Sequence, residues 1–156
     1  MTEKFDVICD VDGTLVDIAK RLELAKNTAK KGKRLNWNVF LDPNTIYELD
    51  EPNHDVIALV KSFISNGHRV IITSARNERH REVTSRQLAD FGIEYSKLYL
   101  RADDDFRNDA DVKEEILGHI RDDGFDPHVA IDDRQRVVDR WRELGLKCYQ
   151  VRVTVE

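Results

Sequence analysis

Cysteine is scarce in this chain: two residues, Cys9 and Cys148, in a length of 156. Both lie in apolar runs and match no zinc-ligand spacing, so they read as buried thiols in a reducing compartment. No apolar run is long enough to cross a bilayer. The opening MTEKFDVICD lacks the hydrophobic segment of a secretory leader. A cytoplasmic location is therefore the expectation. Internal repeats and low-complexity linkers are also missing. Positive charge is not in excess either. At a net charge of -5, bulk electrostatics do not favour nucleic acid, and such a substrate would need a local basic patch. The length suits a single domain, 1–156, with a sizeable core.

What is present is an alternation. Short β-rich apolar runs fall at 5–9, 69–73, 97–100, 129–131 and 148–153, as fully covered parallel strands do. Helical stripes lie between them. Val56, Ile57, Leu59, Val60, Phe63 and Ile64 form one, with Asn53 as expected N-cap and Gly67 as expected stop. Val112, Ile116, Leu117 and Ile120 form another before Gly124. Val137, Val138, Trp141 and Leu144 form a third before Gly145. The charged segment 77–91 ends at Gly92. This order predicts an α/β fold: a mostly parallel sheet with helices on both faces. Ligands of such sheets bind beyond the carboxyl ends of the strands. Residues 17–52 interrupt the alternation and are too long for a plain crossover. They predict a helix plus an irregular, basic and aromatic insertion over that edge.

The strand ends carry the chemistry. The first gives Asp10-Val11-Asp12-Gly13-Thr14, two carboxylates beside a turn, with Thr14 expected to fix the loop through the backbone. The second gives Thr73-Ser74-Ala75-Arg76, a hydroxyl and a guanidinium for phosphate oxygens. The fourth ends in Asp132-Asp133, and Lys113 lies near the start of a helix. Carboxylates from two strand ends can converge on one magnesium ion, which takes a few carboxylates, waters and phosphate oxygens. Such a cation is what lets a carboxylate approach an anionic phosphate.

The ordered set resembles the haloacid dehalogenase (HAD) superfamily, with its DxDGT strand, Ser/Thr strand, lysine and acidic pair. Within it, the residues 10–15, Ser74-Ala75-Arg76, 107–115 and 130–151 are similar to the phosphatase domain of phage polynucleotide kinase–phosphatase. That resemblance implies a HAD-like Rossmannoid sheet with a small cap insertion after the first strand. It implies a magnesium-dependent phosphomonoesterase that removes 3′-phosphates from nucleic-acid ends or nucleotides through a phospho-aspartyl intermediate. It assigns Asp10 as nucleophile, Asp12 as general acid and base, and Ser74 and Lys113 as holders of the phosphoryl group. Arg21, Arg76, Thr14 and Asp109 become substrate-side residues. Asp10, Asp12 (through its carbonyl), Asp132 and Asp133 form the metal side. Ala75 replaces the usual glycine of the second motif, and Thr73 competes with Ser74 as its hydroxyl. No kinase P-loop occurs in the sequence, and a separate kinase or ligase is a candidate partner. The alternative is a small-molecule phosphatase such as a nucleotidase or sugar phosphatase.

Several features keep two readings. The basic run between Lys20 and Arg34 is either a solvated face or a polyanion surface. Trp37, Phe40 and Tyr47 either pack the insertion down or stack on a base. Arg134 pairs with Asp133 or serves the site. The acidic run 103–105 reads as a solvated loop, Trp141 as core, and the five histidines as surface or capping residues without ligand spacing.

Overall fold

A computed structural model describes residues 3–154. In chain order, β1 (Asp6–Asp10) is followed by the two-residue strand β2 (Val16–Asp17). Helices α1 (Ala19–Asn27), α2 (Trp37–Phe40) and α3 (Pro43–Leu49) come next, then β3 (Glu51–Pro52). The remainder runs α4 (His54–Ser65), β4 (Arg69–Asn77), α5 (Arg81–Asp90), β5 (Lys97–Arg101), α6 (Asp109–Asp122), β6 (Pro127–Arg134), α7 (Gln135–Glu143) and β7 (Lys147–Thr154).

Five strands make one sheet in the order β5-β4-β1-β6-β7, and every pairing is parallel. Parallel strands must be covered on both faces, and two separate cores do this. On one face Val7, Cys9, Val70 and Ile72 pack with Val56, Ile57 and Val60 of α4 and Leu88 of α5. On the other, Ile8, Ile71 and Ala130 pack with Val112, Ile116 and Ile120 of α6 and Val138 and Trp141 of α7. Each fully buried aliphatic side chain contributes about 1.5–3 kcal/mol relative to exposure. The chain leaves central β1 for β4 on one side and later crosses to β6 on the other. The crevice where the order reverses lies at Asp10.

The strand ends differ from the sequence expectation in one informative way. β4 and β6 continue to Asn77 and Arg134, but the regular ladder breaks after Thr73 and after Asp132. Both irregularities fall at the carboxyl edge, on the two strands that flank Asp10. Asn53 sits at the N-cap of α4, yet its side chain makes no cap bond. Its amide instead donates to the Thr14 carbonyl at 2.8 Å, and its backbone N–H donates to Leu15. It therefore stitches the loop after β1 to the neck of the insertion. Gly67 follows α4 with φ +87°, as expected of a C′ residue. Two histidines are buried rather than superficial: His68 stacks on Phe5 with centroids 3.9 Å apart, and His80 lies at the start of α5.

The insertion is more ordered than the sequence suggests. The antiparallel β2–β3 ribbon closes its neck, and three helices lie between. α3 packs on α5, and Tyr47 of α3 bonds Asp90 and lies under Arg86, 3.8 Å from its ring. No helix among the described residues is long and apolar enough to cross a membrane.

Candidate active site

Asp10 ends the central strand and is buried. Its Oδ1 accepts from Lys113 Nζ at 2.8 Å, and its Oδ2 accepts from the Thr14 hydroxyl at 2.9 Å. Thr14 thus orients the carboxylate itself, in place of the backbone bond expected from the sequence. Lys113 stands one turn into α6, on its buried face. It reaches across to Asp132 Oδ2, also at 2.8 Å. Asp132 is held from three directions: Lys113, the Trp141 indole at 3.2 Å and the Asp133 amide at 2.9 Å. The indole was legible only as core, since an apolar stripe says nothing about where its N–H points.

Oxygens of Asp10, Asp132 and Asp133 lie within 4.8 Å of one another, and all three residues are buried. Asp133 packs on the turn at Gly13. A Cβ there would stand 2.2 Å from Asp133 Oδ2, and φ is +79°. Glycine is therefore required twice, for the turn and for the close approach. Gln150 of β7 donates to the Asp133 carbonyl at 3.0 Å and fixes the end of β6. Asp10 and Asp132 share one ammonium and so keep an excess negative charge. Burial and the Asp132 carboxylate push the Asp10 carboxyl well above its usual range, against the pull of Lys113. Burial alone would lower Lys113, but Asp10 and Asp132 hold it well above the ordinary lysine range. A hard, all-oxygen, electron-rich cluster of this size fits a divalent cation such as magnesium.

Asp12 faces elsewhere. Its Oδ1 accepts from Arg21 and from Arg76, each at 2.7 Å, and its Oδ2 accepts from Arg76 Nε at 3.2 Å. Its carboxylate is thus engaged by guanidinium groups, apart from the three-carboxylate cluster. Burial would raise Asp12, yet Arg76 and Arg21 outweigh it and hold the carboxyl well below the usual range. Behind both arginines stands Asp50, with a fully buried side chain. It accepts from Arg21 at 2.9 Å and from Arg76 and Gln87 at 3.1 and 3.2 Å. Arg76 also reaches Gln87 Oε1 at 2.6 Å and Thr84 at 3.1 Å. Asp50, Thr84 and Gln87 carried no sequence signal, since they belong to no motif and lie far from the residues they hold.

The remaining candidates divide. Ser74 Oγ accepts from the Arg76 N–H at 3.1 Å, bracing the turn, while Thr73 Oγ1 is buried without a protein partner. Thr73 pairs with Asp10 across the ladder. Both hydroxyls stand where the regular ladder of β4 breaks. Asp109 opens α6 and accepts from Arg101 at 2.8 Å and from Arg134 at 2.5 Å. Both of its oxygens are occupied by arginines that tie β5, α6 and β6 together. Arg134 accordingly reaches Asp109. Phe40 packs beneath the Arg21 guanidinium at 4.6 Å, whereas Trp37 is 56% exposed.

Comparison with known proteins is consistent along the whole chain. Residues 5–154 match the family described as the polynucleotide kinase PNKP phosphatase domain. A chain of the Pnkp1/Rnl/Hen1 complex is 33% identical with a TM-score of 0.74, over 96% of this chain and 46% of that one. A chain of the Pnkp1/Rnl/Hen1 RNA repair complex gives 32% and 0.74, over 96% and 42%. This chain therefore spans less than half the length of these relatives. A HAD-family enzyme of Bacteroides thetaiotaomicron, solved with magnesium and inorganic phosphate, shares the fold at 16% identity and a TM-score of 0.58, over 95% and 94%. The strand-end acids, the bridging lysine and the match over residues 5–154 lead to one conclusion: the chain belongs to the polynucleotide kinase PNKP phosphatase-domain family of HAD enzymes and is a phosphatase.

Proposed function

We propose that the chain removes 3′-phosphates from nucleic-acid ends or nucleotides, with Asp10 as nucleophile, Asp12 as acid and then base, and magnesium as the cation. The observation that carries the reading is the Lys113 ammonium held between Asp10 and Asp132 at the end of the central strand. Asp10, Asp132, Asp133 and the Asp12 carbonyl would hold the ion, and bound magnesium supplies the positive charge that lets a carboxylate meet a phosphate dianion.

The residues divide the work. Asp10 attacks phosphorus as the bond to the sugar oxygen breaks, leaving an acyl phosphate and a free 3′-hydroxyl. Lys113 and the hydroxyl of Ser74 or Thr73 hold the phosphoryl oxygens. Asp12, protonated from solvent once substrate draws its arginines away, gives that proton to the departing oxygen. It then takes one from the water that attacks phosphorus and frees Asp10. In the free protein Asp12 is an anion, ready as a base. The same arginines that hold it are the nearest cations for an incoming phosphate. Drawing Arg21 and Arg76 toward substrate weakens their hold on Asp12 and raises its proton affinity. The site is read as one phosphatase unit carrying the insertion at 17–52, and the likeness to RNA-repair assemblies supports a search for separate kinase or ligase partners.

The test is phosphate release from a 3′-phosphorylated oligonucleotide, its 5′-phosphorylated isomer and a nucleoside 3′-monophosphate, with and without magnesium. Fast, magnesium-dependent release from the 3′ esters alone is expected. Release mainly from metabolite phosphates would favour the small-molecule reading, to which the net charge of -5 lends some support.

A further inference from the structure

Between Glu23 and Asp42 the sequence contains five cations and no carboxylate, in a chain of net charge -5. Lys26, Lys30, Lys31, Lys33 and Arg34 are all exposed, and none makes an ion pair among the described residues. Several other exposed cations sit against carboxylates: Lys97 with Asp123, Arg81 with Glu78, Arg107 with Asp105. The five stand on and just beyond the end of α1, on a loop with a built frame. Its ends are tied where Asn36 N–H donates to Ala25 O at 2.9 Å and the Asn36 amide to Thr28 O at 3.3 Å. Leu35 anchors it, 5% exposed. A cluster of unpaired like charges on a fixed loop costs self-repulsion that an anionic partner relieves.

An aromatic lies at the same place. Trp37 is 56% exposed. Its ring meets Phe40 edge-on at 5.7 Å, Phe40 lies 4.6 Å from the Arg21 guanidinium carbon, and Arg21 bonds Asp12 at 2.7 Å. The indole is thus two side chains removed from the acid/base residue. Lys26 is five residues beyond Arg21 on α1, about 7.5 Å along its axis at 1.5 Å per residue. Cations that track a backbone, with an aromatic that stacks a base, are what binds single strands without reading sequence.

We propose that the Lys26–Arg34 loop and Trp37 form the track for a single-stranded polynucleotide, leading its 3′ end to Asp10. The phosphates 5′ of the reacting group lie on the cations, and a base near the end stacks on Trp37. This rests on the phosphatase reading above and adds the surface that distinguishes an oligonucleotide from a mononucleotide.

Two measurements on the whole chain test it. The first is binding of a fluorescent 12-nucleotide strand with a 3′-hydroxyl, read by anisotropy across a salt series, which requires no turnover. The second compares kcat and KM for a 3′-phosphorylated 12-mer and a nucleoside 3′-monophosphate. In a protein carrying Lys30→Glu, Lys31→Glu, Lys33→Glu and Arg34→Glu, binding should weaken at least tenfold. Its salt dependence should flatten, each lost contact reducing the slope by about 0.7. KM for the 12-mer should rise at least tenfold with kcat kept, and mononucleotide kinetics should stay within twofold. Trp37→Ala should weaken 12-mer binding about tenfold, the scale of one lost base stack. Circular dichroism confirms the fold of each variant. Equal effects on both substrates, or unchanged 12-mer binding, would overturn the track. Strand binding by the wild type without any 3′-phosphate release would keep the track and sink the phosphatase substrate assignment instead.

Discussion

On one side of the crevice Asp10 and Asp132 share a single ammonium, with Asp133 alongside; on the other, Asp12 and Asp50 face Arg21 and Arg76 in equal number. The first half keeps an excess negative charge, and the second is balanced. A buried acid cluster without enough counter-charge is costly, and that cost is removed when a cation arrives. The balanced half needs nothing further to be stable, and it fixes Asp12 as an anion. In the proposed reaction the first half takes the metal, and the second is disturbed by a phosphate that competes for its arginines.

The halves also come from different parts of the chain. Asp10, Lys113, Asp132 and Asp133 stand on β1, α6 and β6, held by the sheet and its helices. Arg21 and Asp50 belong to the insertion, so the second half exists only while the insertion is seated. Substitutions should separate these contributions. The largest effect is expected at Asp10→Asn, which keeps shape and removes the proposed nucleophile: kcat should fall roughly 10⁴-fold or more, with folding intact by circular dichroism. Near-normal turnover would remove Asp10 from the chemistry.

Next comes Asp50→Ala, which leaves two buried guanidinium groups with only Asp12 as carboxylate partner. A loss of about 3–5 kcal/mol in urea unfolding is expected, together with loosened Arg21 and Arg76. A change below about 1 kcal/mol, the range of surface pairs, would show that Asp50 is not the anchor. In the acid cluster, Trp141→Phe keeps most of the core volume and removes the indole bond to Asp132. Weaker magnesium activation, by about tenfold in half-saturating concentration, is the expected scale for a residue that orients a ligand. Loss of stability with unchanged magnesium dependence would make Trp141 a packing residue only.

How much of this could be read beforehand follows the same division. The acid cluster was legible because acids at strand ends are placed by the backbone: once the alternation of strands is read, Asp10, Asp132 and Asp133 must share an edge. Lys113 was legible from its place in the ordered motif set, although its pairing with both acids was not. The arginine half was only half visible. Arg21 and Arg76 stood out as cations near motifs, but their partner Asp50 lies 29 residues from Arg21 in an insertion without regular periodicity. Asn53 and Thr14 misled for a related reason: local sequence suggests a cap or a backbone bond, and tertiary contacts redirected both side chains. Trp141 hid a polar contact inside an apolar stripe.

The smallest effect concerns acid. Asp12 has a native value below its unfolded one, so its stabilising contribution is whole above the unfolded value, about 3.9, and is lost as pH falls through the lower native value. The stability gap between wild type and Asp12→Asn should therefore be larger at pH 7 than at about pH 3. An equal or wider gap at the lower pH would contradict the arginine clamp.

The most direct measurement is capture of the covalent intermediate. The protein would be mixed with a 3′-phosphorylated oligonucleotide and magnesium, quenched in acid within one turnover, and reduced with borohydride, which converts an aspartyl phosphate to homoserine. The expected result is homoserine at position 10 in the peptide containing Asp10, absent from the Asp10→Asn protein and from reactions without substrate. Rapid phosphate release with an unmodified Asp10 at every quench time, or modification at a different carboxylate, would contradict nucleophilic attack by Asp10.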